Sequence, residues 1–271
     1  MQRSMNRRTF VKRSFLATAV GLGTGAGYAR FVERHAVEVV PVEIELGLSE
    51  PLTAAVLGDV HFDPLYEVDY LEDVVARVNS LAPDLILYTG DFLSKSADRL
   101  SELLTVLGRA RAAVGSFAVL GNHDHWIDAD RVGAALTASD IPVLRNRSVP
   151  LPGRKDWYLT GLESYWAGAP SAMSIASTPP HARHVVLVHE PDAFDLLTDP
   201  RIALQLSGHT HGGQVRLPLR GAVSLPSWGK KYQMGLYARG GRRLYVNRGI
   251  GTVKRHFRLN CPPEITLLKL T

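Results

Sequence analysis

Residues 203–213 read Ala203-Leu204-Gln205-Leu206-Ser207-Gly208-His209-Thr210-His211-Gly212-Gly213. A run of strand length breaks directly into two histidines set among three glycines. The run predicts a buried strand, and the glycines predict a tight turn that brings backbone close to whatever the histidines hold. Outward from this stretch the pattern repeats. Residues 53–57 lead into Asp59-Val60-His61, 85–89 into Gly90-Asp91, 116–120 into Gly121-Asn122-His123-Asp124, and 185–188 into His189. Each run is short and rich in Val, Leu and Ala, the composition of a strand covered on both faces. In an open α/β sheet the loops at strand C-termini meet in one crevice, so ligand-type residues far apart in sequence converge there. Five of the ten histidines sit at these ends.

The segments between the runs agree with that class. In 68–81, Leu71, Val74, Val75, Val78 and Leu81 share one helical face, and Pro83 stops the helix. A second amphipathic helix is expected over 97–112, with Leu100, Leu103, Leu104 and Leu107 on one face, and a third over 130–139. After Gly213 the texture changes. Pro218, Gly221, Pro226, Gly229, Gly235, Gly240 and Gly241 punctuate short runs such as 244–247 and 265–270, which predicts antiparallel strands and loops. The fold class is α+β or α/β, and with no linker or repeat in view residues 30–271 read as one domain.

The 271 residues carry 31 Lys+Arg against 26 Asp+Glu, a formal net charge of +5, and 45% are hydrophobic. That excludes a disordered chain and gives enough apolar mass for a core without disulfide staples. The positive excess lies in one place. Residues 1–29 hold Arg3, Arg7, Arg8, Lys12 and Arg13 and no acidic residue, and 15–29 form a weakly apolar stretch diluted by glycines. This is the layout of an export signal, too short for the roughly 20 apolar residues of a membrane-spanning helix. Asn6-Arg7-Arg8-Thr9-Phe10-Val11-Lys12 resembles the twin-arginine motif. The resemblance implies the twin-arginine export machinery as a partner and a location in the periplasm or at the outer face of the cytoplasmic membrane. Both cleavage after Ala29 and retention of the leader as a tether stay open. Without this leader the formal charge is zero, which argues against nucleic acid as a partner. Within the remainder, 30–212 hold 14 basic and 25 acidic residues, whereas 213–271 hold 12 basic residues and one acid, Glu264. The single Cys261 excludes an intramolecular disulfide and is expected to pack as a small hydrophobe.

Imidazole nitrogen and carboxylate oxygen, without a cysteine cluster, suit Mn, Zn or Fe. An aspartate bridges two ions through its two oxygens, and such a pair clamps the oxygens of a phosphoryl group during in-line displacement. The order D-x-H, G-D, G-N-H-D, H, G-H-x-H, running from Leu52 to the C-terminus, resembles that of the calcineurin-like metallophosphoesterases. The closer likeness is to a twin-arginine-exported phosphodiesterase subgroup, on Gly208 to Gln214 and on Leu259-Asn260-Cys261-Pro262-Pro263-Glu264. The resemblance implies a four-layer αββα sandwich with a dinuclear site at one end. Asp59, His61 and His211 would hold the first ion, Asn122, His189 and His209 the second, and Asp91 would bridge them. It further implies a metal-bridging hydroxide as nucleophile, His123 as leaving-group acid, and Asp124 orienting the His123 ring through its other nitrogen. Gly58 departs from the family pattern, where Ser is common. Asp63 has no place in the pattern and is expected to cap its loop, while His125 and Trp126 are expected near the substrate pocket.

The expected activity is that of a metal-dependent phosphodiesterase or phosphatase acting on a phosphate ester of envelope or lipid origin, with peripheral membrane contact. The basic residues of 213–271, among them Arg216, Arg220, Lys230, Lys231, Arg242, Arg243, Arg248, Lys254, Arg255 and Arg258, are expected either to border the site or to form a solvated face. Two alternatives stand beside this. One is a lipid A enzyme of the UDP-2,3-diacylglucosamine pyrophosphatase kind, whose substrate is made on the cytoplasmic side. The other is a non-catalytic exported metal- or phosphate-binding protein, against which the intact His123-Asp124 pair argues.

Overall fold

A computed structural model describes residues 25–271, so the twin-arginine-like motif lies outside the described residues. The chain enters as β1 (Glu38–Ile44), then β2 (Leu52–Leu57), β3 (Leu85–Tyr88) and β4 (Gly115–Ala118), the last three parallel neighbours in one sheet. It continues through β5 (Arg147–Pro150), β6 (Trp157–Gly161), β7 (Arg183–Leu187) and β8 (Ile202–Ser207) in a second sheet. A small hairpin of β9 (Arg216–Leu217) and β10 (Gly221–Ala222) intervenes before β11 (Gly235–Arg239) and β12 (Arg242–Val246) complete that sheet. Finally β13 (Glu264–Leu270) returns to the first sheet, parallel to β1 and antiparallel to β2. The strand orders are β1-β13-β2-β3-β4 and β11-β12-β8-β7-β6-β5. The antiparallel expectation after Gly213 holds for β9–β10, for β11–β12 and for β13 against β2. β12 runs parallel to β8 and β13 parallel to β1, pairings between distant segments on which local turn signals carry no information.

Side-chain alternation along the strands builds the layers. Ala54, Val56, Leu85 and Leu87 face Leu159, Val185, Leu187, Leu204, Leu206 and Tyr245 across the space between the sheets. Their neighbours Ala55, Leu57, Ile86 and Tyr88 face the opposite way, onto the apolar sides of helices Val68–Ser80, Leu100–Leu107 and Asn122–Ala138. Val186, Val188 and Ile202 pack outward against Ile175, Ala193 and Leu197. Two mixed sheets between helical layers give the α/β sandwich expected. The layer over the second sheet is thin, consisting of helix Met173–Ala176 and the 3-10 turn Pro191–Asp195.

Two helices depart from expectation. The one expected over 97–112 spans only Leu100–Leu107, because the Arg109 and Ala110 N–H groups tighten onto Val106 and Leu107, and those of Ala113 and Val114 bond Pro83 and Asp84 on the way into β4. The third starts at Asn122, directly after Gly121, and breaks at Asp128 (φ −178°, ψ 88°) before the stretch the pattern predicted. Leu204 is fully buried between the sheets. Leu204→Ala should therefore lower the unfolding free energy by about 3 kcal/mol, read from the urea midpoint. A loss below about 1 kcal/mol would mean that the sheets do not depend on this contact.

Candidate metal centre

The loops after β2, β3 and β4 and those after β7 and β8 leave the two sheets at a common end, and their backbone is bent to fit. Asp59 (φ 51°), His61 (50°), Asp91 (56°), His209 (74°) and His211 (52°) all occupy the left-handed region. That conformation costs a non-glycine residue about 1 kcal/mol or more, so it persists only where the surroundings enforce it. Here the loops are laced together: the N–H groups of Asp59, His61 and Phe62 donate to the carbonyls of Gly90, Asp91 and Phe92. Glycine supplies the clearance. A Cβ at Gly121 would sit 2.1 Å from Asp91 Oδ1. One at Gly58 would sit 2.0 Å from Thr89 Oγ1, so the space a serine would need there is already filled.

Six of the seven candidate ligands come together, and the seventh, Asn122, lines the same cleft. Asp59, His61 and His211 offer donor atoms within 4.8 Å of one another, as do Asp91, His189 and His209. His61 Nε2 and His211 Nε2 are 3.0 Å apart, and His189 Nε2 and His209 Nδ1 are 3.1 Å apart. Asp91 Oδ2 lies 3.4 Å from His61 Nε2 and 3.1 Å from His189 Nε2, between the two groups. Its other oxygen, Oδ1, accepts the His123 N–H at 2.8 Å. Asp59 accepts the His209 N–H at 2.9 Å on each oxygen. Backbone carbonyls fix the ring orientations. His189 Nδ1–H donates to Thr89 O and His209 Nε2–H to Ser227 O, both at 2.7 Å, leaving the opposite nitrogens turned toward the cluster.

Burial sets the protonation. It pushes the imidazoles of His61 and His209 down to about 3 and about 4, and that of His211 well below its usual range, so all three are neutral with a lone pair to offer. It pushes the Asp59 carboxyl up to about 7, opposed by the charge of His189 and reinforced by that of Asp91. At Asp91 and His189 burial is outweighed by their mutual attraction, which holds the carboxylate ionised and the imidazole protonated. The cluster thus calls for positive charge in its interior. Asn122 adds a carbonyl oxygen that is buried without a partner on the wall of the same cleft. Neutral imidazoles, buried carboxylates and an orphaned amide oxygen fit a divalent cation of the Mn, Zn or Fe kind.

The expected role of Asp124 is corrected. His123 Nδ1–H donates to Ser94 O at 2.8 Å, whereas Asp124 accepts the Phe92 and Leu93 N–H groups on Oδ1 and the Gly121 N–H on Oδ2. Asp124 is the third residue of its helix, from which a carboxylate reaches back to the preceding backbone. It therefore ties the Asp91 loop to the Gly121 loop, and Ser94 orients the His123 ring. His123 lines the cleft, edge-on to His61 with ring centroids 4.7 Å apart. Trp126 lines it as well, while His125 lies against Gly168. Asp63 caps its loop through the Leu65 N–H, and Cys261 is buried with its thiol donating to His211 O.

Residues 52–213 match the calcineurin-like phosphoesterase family. The uncharacterised metallophosphoesterase YkuE of Bacillus subtilis is 33% identical over 99% of this chain and 98% of its own length. Phosphodiesterase YaeI of Escherichia coli is 32% identical over 98% of this chain and 99% of its own. The chain belongs to the calcineurin-like phosphoesterase family. Among solved structures, a dimetal phosphatase from Danio rerio aligns with 74% of this phosphoesterase and 88% of its own chain, at 13% identity and a TM-score of 0.46.

Several supports of the phosphoesterase site escaped the pattern of strand-end ligands. Asn247, after β12, donates to Val56 O, Glu264 O and Thr266 Oγ1 and accepts the Gly249 N–H, which brings Gly249 (φ 70°) against Asp59. Arg258 is fully buried and donates to the carbonyls of Arg248, Gly249, Gly251 and Cys261. Glu190 accepts from Ser164 Oγ and the Tyr165 and Trp166 N–H groups, which sets Trp166 beside His209. Most of the basic C-terminal residues are bound elsewhere. Lys231 pairs with Asp195 and Arg248 with Glu38 and Glu264, and Arg216 donates to Gly212 O. Lys254 and Arg255 are the members of that basic group that line the cleft.

Gly121→Ala should weaken Mn binding at least tenfold in calorimetric titration, because the new methyl must displace Asp91. Gly133→Ala, whose Cβ meets only Leu120 Cδ1 at 3.7 Å, should bind Mn as wild type does and gain about 0.5–1 kcal/mol of stability. Equal Mn affinity in the two variants would contradict the tight fit at Gly121.

Proposed function

We propose that this phosphoesterase is an exported, metal-dependent phosphodiesterase that works outside the cytoplasm. The observation that carries the reading is the position of Asp91 Oδ2 between the Asp59–His61–His211 group and the His189–His209 group, with His123 beside His61 and Asp91 on the cleft wall. When bound, a pair of divalent ions supplies Lewis-acid charge against phosphoryl oxygens and lowers the pKa of water. The chain does the rest. His123, with Nδ1–H held by Ser94 O, presents Nε2 to the departing oxygen and delivers the proton that oxygen needs. Asp91 carries the His123 backbone on one oxygen, so the acid and the ligand cluster move as one unit. Asp124 is a positioning residue that closes the loops around them. The likeness to a relative named as a phosphodiesterase supports the diester as substrate. A non-catalytic binding protein would have no use for a histidine so held.

The Mn-loaded protein should hydrolyse bis-p-nitrophenyl phosphate. His123→Ala should lower kcat by roughly 10²–10⁴-fold with the metal content of the wild type. Turnover unchanged, or lost together with the metal, would remove His123 as the acid, and wild-type protein inert with metal bound would favour the binding-protein reading.

Export rests on Arg7 and Arg8 in the leader-like segment. Among the described residues no helix is long and apolar enough to cross a membrane. A reporter fused behind residues 1–35 should leave the cytoplasm, and the double change Arg7→Lys with Arg8→Lys should stop it. Export that survives the change would count against the twin-arginine route.

A further inference from the structure

We infer that the phosphate ester taken by this site carries a hydrocarbon chain, which lies in an apolar groove leading away from the metal-ligand cluster. The inference rests on the phosphodiesterase reading above and names its substrate class. The cleft that begins at His61, Asp91 and His123 encloses about 580 Å³, the size of a pocket for a whole small molecule and far more than a phosphoryl group fills. Its far wall is made by Val215, Val223, Leu225, Pro226, Val253 and Phe257.

Two of the polar residues along that wall, Gln214 and Thr210, are already engaged, and Ser224 is the exposed exception. The Gln214 side chain donates to Val253 O and Arg255 O and accepts the Val253 N–H. Thr210 Oγ1 donates to Gln233 O and accepts the Gly212 N–H. A nucleoside or sugar brings hydroxyls and amides that lose water on binding and need such groups in return, whereas an alkyl chain needs none. On the near side Trp126 and Trp166 meet edge-to-face with centroids 4.9 Å apart, 54% and 39% exposed.

The groove does not end at its wall. Val215 and Val223 are bonded to each other at the base of the β9–β10 hairpin, and the same hairpin carries Leu217 and Leu219 exposed near its tip. An apolar surface that runs from the cluster to solvent marks a binding site and gives a long chain a way out. Exposed Lys254 and Arg255 stand on the rim, where their charge complements an anionic phosphate.

The test uses p-nitrophenyl phosphate diesters that differ only in their second alcohol, methyl or octyl, with the Mn-loaded protein. Each buried methylene is worth about fourfold, so burial of roughly three or four of the extra methylenes should raise kcat/KM for the octyl ester over that for the methyl ester by roughly a hundredfold. Val223→Asp, at a half-exposed position that leaves folding undisturbed, should cut that ratio below about tenfold, and Val253→Asn should act in the same direction. In a parallel arm, tryptophan fluorescence follows binding of octyl phosphate and methyl phosphate, with the octyl compound expected to bind tighter by a similar factor. A ratio near one in both arms overturns the inference and leaves the phosphodiesterase standing. Thymidine p-nitrophenyl phosphate preferred over the octyl ester also overturns it. Protein that hydrolyses nothing but binds octyl phosphate selectively overturns the phosphodiesterase and keeps the groove.

Discussion

The buried carboxylate of Asp91 joins the parts of the site. One oxygen carries the His123 backbone and the other faces His61 from the first sheet's loops and His189 from the second sheet's. Asp91 lies between two ligand groups that each draw on both sheets, His211 following β8 and Asn122 following β4. Its own backbone is left-handed, and the glycine at 121 leaves free the space its carboxylate occupies. Strain of this kind is kept only when many other contacts determine the conformation. Here those contacts are the lacing between the 59–62 and 90–92 segments and the Asp124 carboxylate that gathers three N–H groups around it.

The electrostatics follow from the same crowding. Asp59, Asp91 and Asp124 are all buried within one cluster, and burial together with the Asp91 charge pushes the Asp124 carboxyl up to about 7. Three neighbouring imidazoles are held neutral, so the interior calls for cationic charge, to which a proton on His189 contributes most directly. Arg258 stands behind the cluster, but its guanidinium is turned to carbonyls and fixes the loop that confines Asp59. The basic C-terminal region of the sequence is in this way mostly scaffold. Its charges hold turns and pair with Asp195, Glu38 and Glu264, and two of them reach the cleft.

The strands and the gathering of the candidate ligands were legible in the sequence because the two signals reinforce each other. Runs such as Leu85–Tyr88 are apolar at every position since both faces are covered, and the glycine-flanked Asp and His residues follow at once. What the sequence concealed were backbone partners. Ser94 orients His123 through its carbonyl, which has no signature in residue type, and the family resemblance implied Asp124 as the orienting group when its helical position sends it to Gly121 instead. Arg258 read as a charge that either borders the site or faces solvent, because the four carbonyls that bury it come from a turn folded back by distant strand pairing. The parallel pairing of β13 with β1 was concealed for the same reason.

Anomalous diffraction from crystals grown with Mn tests most directly whether these residues form a two-ion site. Two peaks per chain are predicted, one among Asp59, His61 and His211, the other among Asn122, His189 and His209, with Asp91 between them. A single peak, or peaks away from these residues, would contradict it.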